Sequence, residues 1–434
     1  MRYALTDIPS LFATPAGRMH LRRGISYRLW PLTSRLARLY RRTIARRVCV
    51  VAVVGSFGKS TTTRLVAAVL QAPAHDEVPS NAWGSIARAV LWIGPAQPHA
   101  VIEVGIAAPG QMAQYARTVR PDITVVTSVG SEHHRSLGTL EVTRDEKAWM
   151  LRALPRTGVA VLNGDDPNVI WMRQHTAARI VTFGFDAACD VRAGGFQLDW
   201  PHGSRFDLSA FGVERQGVRL RLLGRQMVRA ALAAIAVGHS AGLALDDTLE
   251  RLQAVPPTPG RMEPVALDNG VIVLRDDFKS ALETMHAALD AFALIPARRR
   301  IVLFGDITEP RAPVREGYRA LGARVAGMAT HFVVVSPLLA AYASGARRAG
   351  MPKSAIIDGG RTPRQVATAL AALLEPGDVV LIKGRGSQKL DRVRLILQGR
   401  RVNCDIVHCN LNTVNCERCP MLERGWVEPP AFMK

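Results

Sequence analysis

Apolar residues in this chain fall into short, nearly unbroken runs, separated by stretches where they return every three or four positions. Residues 48–54, 100–104 and 123–129 read as buried strands, and 62–70 as a helix between the first two. This alternation predicts a mainly parallel sheet with helices on its faces. Between about 186 and 222 the pattern shifts to short, turn-broken pieces of alternating polarity, which predicts a small antiparallel excursion. Pro256, Pro257, Pro259 and Gly260 then interrupt the chain as a stiff linker. Beyond them the alternation resumes, with strands expected at 271–274, 301–304, 332–335, 355–357 and 379–382. The helix after Lys279 places Leu282, Met285, Leu289 and Phe292 on one face, as a core-facing helix requires.

The fold class expected is therefore α/β: a P-loop-type, mainly parallel sheet domain followed by a Rossmann-like α/β domain. Four segments are expected: an N-terminal arm at 1–47, a central domain at 48–250, a second domain at 256–402 and a cysteine-rich tail at 403–434.

Composition sharpens this at three points. With 434 residues, 48% of them hydrophobic and 21% charged, the chain has the make-up of an ordinary globular protein. It shows neither a long apolar span nor a secretory leader, so a cytoplasmic location is expected. The net charge of +20 is uneven: residues 1–47 hold eleven arginines, no lysine and the single acid Asp7. Leu29, Leu32, Leu36, Leu39 and Ile44 recur among those arginines at roughly helical spacing. Such an arm is suited to acidic small molecules, a membrane surface or a partner protein. No recognition module for nucleic acid accompanies it, so no specific nucleic-acid partner is expected.

The densest local chemistry is VAVVGSFGKSTTTR at 51–64. A buried strand runs into a loop with Gly55 and Gly58, then Lys59, Ser60, Thr61 and a helix. The glycines let backbone N–H groups turn inward on phosphate oxygens, and the helix N-terminus adds positive charge. Lys59 would reach the β- and γ-phosphates of ATP, and the Ser60 or Thr61 hydroxyl would meet Mg²⁺.

The short Gly-x-x-Gly-Lys-Ser-Thr-Thr form resembles the loop of the Mur ligases and their folylpolyglutamate, cyanophycin and poly-γ-glutamate relatives. Further stretches agree with that family in order: EVGIAAPGQ from 103, SEHHRSLGTLEVTRDEKAWM at 131–150, VLNGDDP at 161–167, PTPGRME from 257, LRDDF at 274–278, FGDITE at 304–309 and GDVVLIKGRGSQ at 377–388. The likeness covers about residues 48–395 and is nearest the branch that adds D-alanyl-D-alanine.

The resemblance implies an ATP-dependent ligase that activates a carboxylate as an acyl-phosphate and passes it to an amine or amino acid, releasing ADP and phosphate. It implies Glu103 and His133 near Mg²⁺, and a carbamylated Lys147 that contributes anionic oxygens where an ammonium could not. Asn163 and Asp166 would lie near the nucleotide, with Arg261 reaching it from the hinge. Asp276 would face the cleft, and Lys383 would approach the amine substrate or the γ-phosphate.

The chain departs from the family pattern in three places. Gln226, Met227 and Ala230 stand where an asparagine usually meets adenine. Phe278, Lys279, Ser280 and Ala281 replace a Tyr-Asn-Ala-Asn run, and the arginine arm stands where the family has its UDP-sugar domain. The expectation is an acidic carboxylate from a specialised pathway. A truncated cell-wall ligase, a polyglutamate-type ligase and a P-loop ATPase switch are the alternatives. Finally, Cys404, Cys409, Cys416 and Cys419 fall within sixteen residues, a grouping that suits Zn²⁺ or an iron–sulfur cluster.

Overall fold

The run CVVAVV offers water no charged side chain, and the chain buries it between two parallel neighbours. Strand β1 (Cys49–Val54) pairs with β2 (His99–Glu103) on one side and β3 (Ile123–Val126) on the other. The structure, a computed structural model, describes residues 8–73, 81–411 and 415–426. The first seven residues of the expected arm, and 412–414 and 427–434 of the expected tail, lie outside the described residues.

Two units partition the chain: Arg23–Pro256, and Met1–Arg22 with Pro257–Lys434. The change falls within the proline-rich run at 256–260. In the first unit the sheet continues from β3 through β4 (Val159–Asn163), β5 (Arg179–Gly184), β6 (Val191–Asp199), β7 (Gly203–Ala210) and β8 (Val213–Leu220), in the order β2-β1-β3-β4-β5-β6-β7-β8. Pairing is parallel as far as β6 and antiparallel from β6 to β8. The antiparallel excursion thus extends the main sheet.

The second unit comprises β9 (Glu263–Ala266), β10 (Ile272–Arg275), β11 (Arg299–Phe304), β12 (His331–Val334), β13 (Ile356–Asp358) and β14 (Asp378–Lys383). Their order in the sheet is β13-β12-β11-β14-β10-β9. Only the edge strand β9 runs antiparallel. Helix Leu282–Ala293 buries Met285, Leu289 and Phe292, with Leu282 at the rim. Among the described residues, no helix is long and apolar enough to cross a membrane.

Residues 23–47 fall in the first unit. Helix Trp30–Arg42 buries Trp30, Ser34, Ala37 and Arg41, the inward face of a surface helix. Trp30, Ala37 and Ala45 share one apolar cluster with Val50, Ala52, Val54 and Tyr115. The Arg41 guanidinium is buried and makes four hydrogen bonds: it donates to Asp122 Oδ2 at 2.7 Å and to the carbonyls of Ala45, Val119 and Arg120. The helix supplies part of the core beneath β1, and its residues fall in the same unit, Arg23–Pro256.

The cysteine tail also differs from its expectation. All six cysteines are free, and among the described residues no group of three or more His, Cys, Asp or Glu side chains could hold a metal. Cys404 packs with Ile406, Leu411 and Cys409, whereas Cys416 packs with Leu395, Val402 and Leu422. Burial pushes the Cys409, Cys416 and Cys419 thiols up. The clasp is instead Arg392, buried, which donates to the carbonyls of Cys404 at 2.7 Å, Ile406 at 2.6 Å and Gln388 at 3.0 Å.

Candidate active site

The first sheet changes winding direction at β1, whose neighbours β2 and β3 lie on opposite sides. In such sheets, ligands bind beyond the carboxyl ends of the strands at this reversal. The loop 55–58 stands there and leads into helix Lys59–Val69. Its shape depends on two glycines. Gly55 has φ +147°, and a Cβ there would meet Thr127 Oγ1 at 2.0 Å; Gly58, at φ +84°, is the left-handed residue that starts the helix. The end of β3 braces the loop. Thr127 Oγ1 donates to Phe57 O at 2.6 Å, Phe57 N donates to Ser128 Oγ at 2.9 Å, and Ser56 N donates to Ser128 O at 2.9 Å.

Two lysines converge on this loop. Lys59 Nζ donates to Gly55 O at 2.8 Å, Ser56 O at 3.0 Å and Glu132 Oε2 at 3.3 Å. Lys147, from helix Leu140–Arg152, donates to the same Gly55 carbonyl at 3.0 Å. They are only 5% and 3% exposed. Two ammonium groups on one carbonyl oxygen concentrate positive charge beside a glycine loop and a helix N-terminus, the arrangement that stabilises a polyphosphate.

Glu103 ends β2 in register with Val53, which places it at the same end of the sheet. Its Oε1 accepts from Asn81 Nδ2 at 2.6 Å, while Asn81 O accepts from Gly105 N at 2.8 Å. His133 has φ +59°, unusual for a residue with a side chain, and its Nε2 lies 3.6 Å from Glu132 Oε1. The oxygen donors here, the Glu103 carboxylate with the Ser60 and Thr61 hydroxyls, suit a hard cation such as Mg²⁺. The Lys147 ammonium does not.

Asn163 and Asp166 serve the loop's support. Asn163 Nδ2 donates to Thr127 O at 2.8 Å and its Oδ1 accepts from Asp165 N at 3.1 Å. Asp166 accepts from Val129 N at 2.8 Å and caps the short helix that follows, through Asn168 N. Of the residues in the altered adenine motif, Met227 and Ala230 are buried. Their neighbours Arg225 and Arg229 lie over the Phe185 ring at 3.9 and 5.1 Å, with Arg229 also paired to Asp165 at 2.6 Å.

The second unit gathers its charges at the ends of β10 and β14, which are paired in parallel. Lys383 Nζ, wholly buried, donates to Asp276 Oδ2 at 2.5 Å and to Lys279 O at 2.8 Å. Burial pushes its pKa down while Asp276 opposes the shift. Arg275 bridges Asp277 and Glu263. Burial together with the Asp277 carboxylate raises the pKa of Asp391, against the pull of Arg275. Arg261 lies 4.6 Å above the Phe278 ring, and Ser280 Oγ donates to Asp306 O at 2.7 Å. The structure thus brings Lys59, Lys147, Gly55, Gly58, Ser60 and Thr61 together in the first unit, and Asp276 and Lys383 in the second.

Sequence reading missed Asn81 and Glu132. Glu132 sits beside His133 in a stretch already singled out, but only the fold shows that it faces Lys59. Asn81 precedes no recognisable pattern, and no signal in the sequence would have found it.

Comparison with known proteins places this geometry. The family described as "Mur ligase middle domain" matches residues 53–238, and "Mur ligase, glutamate ligase domain" matches 260–386. A UDP-N-acetylmuramoyl-tripeptide–D-alanyl-D-alanine ligase of Mycobacterium tuberculosis is 30% identical over 378 residues, covering 81% of this chain and 73% of that protein. Among solved structures, MurF from Acinetobacter baumannii superposes with a TM-score of 0.75 at 21% identity, over 86% of this chain and 81% of that one. MurF from Thermotoga maritima in complex with ADP gives 0.75 at 21%, over 85% and 83%.

Proposed function

This chain belongs to the Mur ligase family of ATP-dependent amide ligases, and on that premise we propose that it joins an acidic carboxylate to an amine through an acyl-phosphate in a specialised pathway. The observation that carries the reading is the pair of buried lysines on the Gly55 carbonyl, at the mouth of a glycine loop. ADP in the Thermotoga maritima relative supports a nucleotide at this loop.

An oxygen of the substrate carboxylate attacks the γ-phosphorus of ATP, and ADP leaves with the bond's electron pair. The amine nitrogen then attacks the acyl carbon, phosphate departs, and the nitrogen loses a proton to give the amide. Lys59 stabilises charge on the transferring phosphoryl group from a position the fold has already fixed. Asn81 orients Glu103, and Glu132 positions Lys59. Glu103 and the Ser60 or Thr61 hydroxyl would hold Mg²⁺, with His133 close by, and the ion would supply charge neutralisation at the phosphates. Carbamylation would turn Lys147 from a second cation into an anionic oxygen donor at the same place. The reaction is assigned to the cytoplasm, where ATP is available.

The named relative acts on D-alanyl-D-alanine. Here Phe278 lies under Arg261, the Lys279 carbonyl accepts from Lys383, and the Ser280 hydroxyl is bonded to Asp306. These internal contacts support a different amine. ADP release, measured with pooled carboxylates and with or without pooled amines, tests the reading. Amine-dependent ADP release is expected; a rate indifferent to both pools would assign the chain to nucleotide hydrolysis. Efficient turnover of UDP-N-acetylmuramoyl-tripeptide with D-alanyl-D-alanine would make it a cell-wall ligase.

A further inference from the structure

Helix Trp30–Arg42 is apolar on two sides. Its inward face, Trp30, Ser34, Ala37 and Arg41, is explained by the core. Its outward face is not: Leu32 is 57% exposed, Leu36 49% and Leu39 60%, with Leu29 beside them just before the helix. These four recur at i, i+3, i+7 and i+10, so they form one stripe of leucines along the outside of a surface helix. Isolated exposed leucines are common, but a contiguous row of them marks an interaction surface.

Charge says what covers the row. Residues 23–47 contain eight arginines and no acidic residue. Arg28, Arg35 and Arg42, at seven-residue spacing, run along one flank of the stripe, all exposed, and exposed Arg46 and Arg47 follow. Arg35, Arg42 and Arg117 crowd Arg38, whose pKa is held down by burial and then by those three neighbours. A second copy of the chain placed face to face on this helix would bring the two arginine sets together. Nucleic acid would satisfy the arginines and leave the leucines in water.

We propose that this helix docks the protein on an anionic lipid surface, with Leu29, Leu32, Leu36 and Leu39 entering the headgroup–acyl boundary and the flanking arginines meeting lipid phosphates. Apolar insertion and electrostatic attraction act together in such interfacial helices, and neither suffices alone. The helix lies in the plane of the surface, consistent with its length of 13 residues.

Flotation of the full chain with phosphatidylcholine vesicles, with and without phosphatidylglycerol, tests this without reference to catalysis. The protein is expected to float with the anionic vesicles, to stay behind with the neutral ones, and to be released at about 1 M salt, where the screening length falls to about 3 Å. The combined Leu32→Gln, Leu36→Gln, Leu39→Gln variant is expected to lose roughly tenfold or more in partitioning, with its thermal midpoint retained because the inward face is untouched. Arg35→Gln with Arg42→Gln is expected to erase the preference for anionic vesicles. Failure of the unaltered protein to float, or undiminished flotation of the leucine variant, would overturn the proposal. So would a dimer in sedimentation that the leucine changes dissolve while vesicle binding is absent. Retention on polyglutamate resin without vesicle binding would assign the face to an acidic protein instead, and would overturn it equally.

Discussion

At the scale of single residues, the account turns on two lysines with different duties. Lys59 is held on the Gly55 and Ser56 carbonyls and on Glu132, contacts that a bound phosphate can replace. Its removal takes away a transition-state contact and little packing. Lys59→Ala is therefore expected to lower ADP formation by about 10²–10³-fold, the usual effect of deleting one preorganised charge-stabilising donor, with the thermal midpoint nearly unchanged. Steady-state ADP release alongside thermal unfolding checks both halves. Lys147 reaches the same carbonyl from another helix. Lys147→Ala is expected to be inactive, and a short carboxylate such as acetate, or bicarbonate, to restore part of the rate. An unrescued variant as fast as the parent would leave Lys147 no part in the site. Lys59 was legible in the sequence because a P-loop is local: strand, glycines, lysine and helix are consecutive. Glu132 and Asn81 were not, because each acts across a turn whose geometry no spacing encodes.

At the scale of elements, helix Trp30–Arg42 matters most. Its run of arginines suggests a solvated arm, yet positions 30, 34, 37 and 41 complete an inward face that composition conceals. Arg41 shows why charge alone misleads: buried, it is matched by Asp122 and three carbonyls. Trp30→Ala should cost about 3–5 kcal/mol, the range for emptying a large aromatic site, and deletion of residues 1–47 should prevent the first unit from folding. Chemical denaturation of the point variant and circular dichroism of the truncated chain measure these. The strands were legible at long apolar runs such as β1 and β14, although the buried run of β4 was not picked out. β9, with Pro264 inside it and half-exposed residues along it, was missed, as edge strands with little apolar content tend to be. The cysteine tail misled in the other direction, since thiol spacing suggests a ligand set but does not fix where each sulfur points. Its clasp, Arg392, is a single residue within a helix. Chelation with EDTA is accordingly expected to leave the thermal midpoint unchanged, whereas Arg392→Met should lower it through three orphaned carbonyls. A midpoint that falls on chelation would return the tail to metal binding.

At the scale of the whole molecule, the ordered series of motifs from Gly55 to Gln388 made the two-unit ligase architecture legible, because most of the motifs sit at strand ends that the fold must also place. Substrate identity was not legible. It depends on residues such as Phe278 and Ser280, which the chain ties into internal contacts and which therefore report what is absent more than what binds. Family membership supplies the ligase chemistry, and the central claim is that the carboxylate passes through an acyl-phosphate. The direct test is to supply ATP, Mg²⁺ and a pool of carboxylates that includes UDP-N-acetylmuramoyl-tripeptide, with hydroxylamine as the amine, and to quantify hydroxamate and ADP together. The account predicts one hydroxamate per ADP, and both products lowered together by about 10²–10³-fold in Lys59→Ala. ADP formed at the same rate with no carboxylate present, and no hydroxamate, would contradict it.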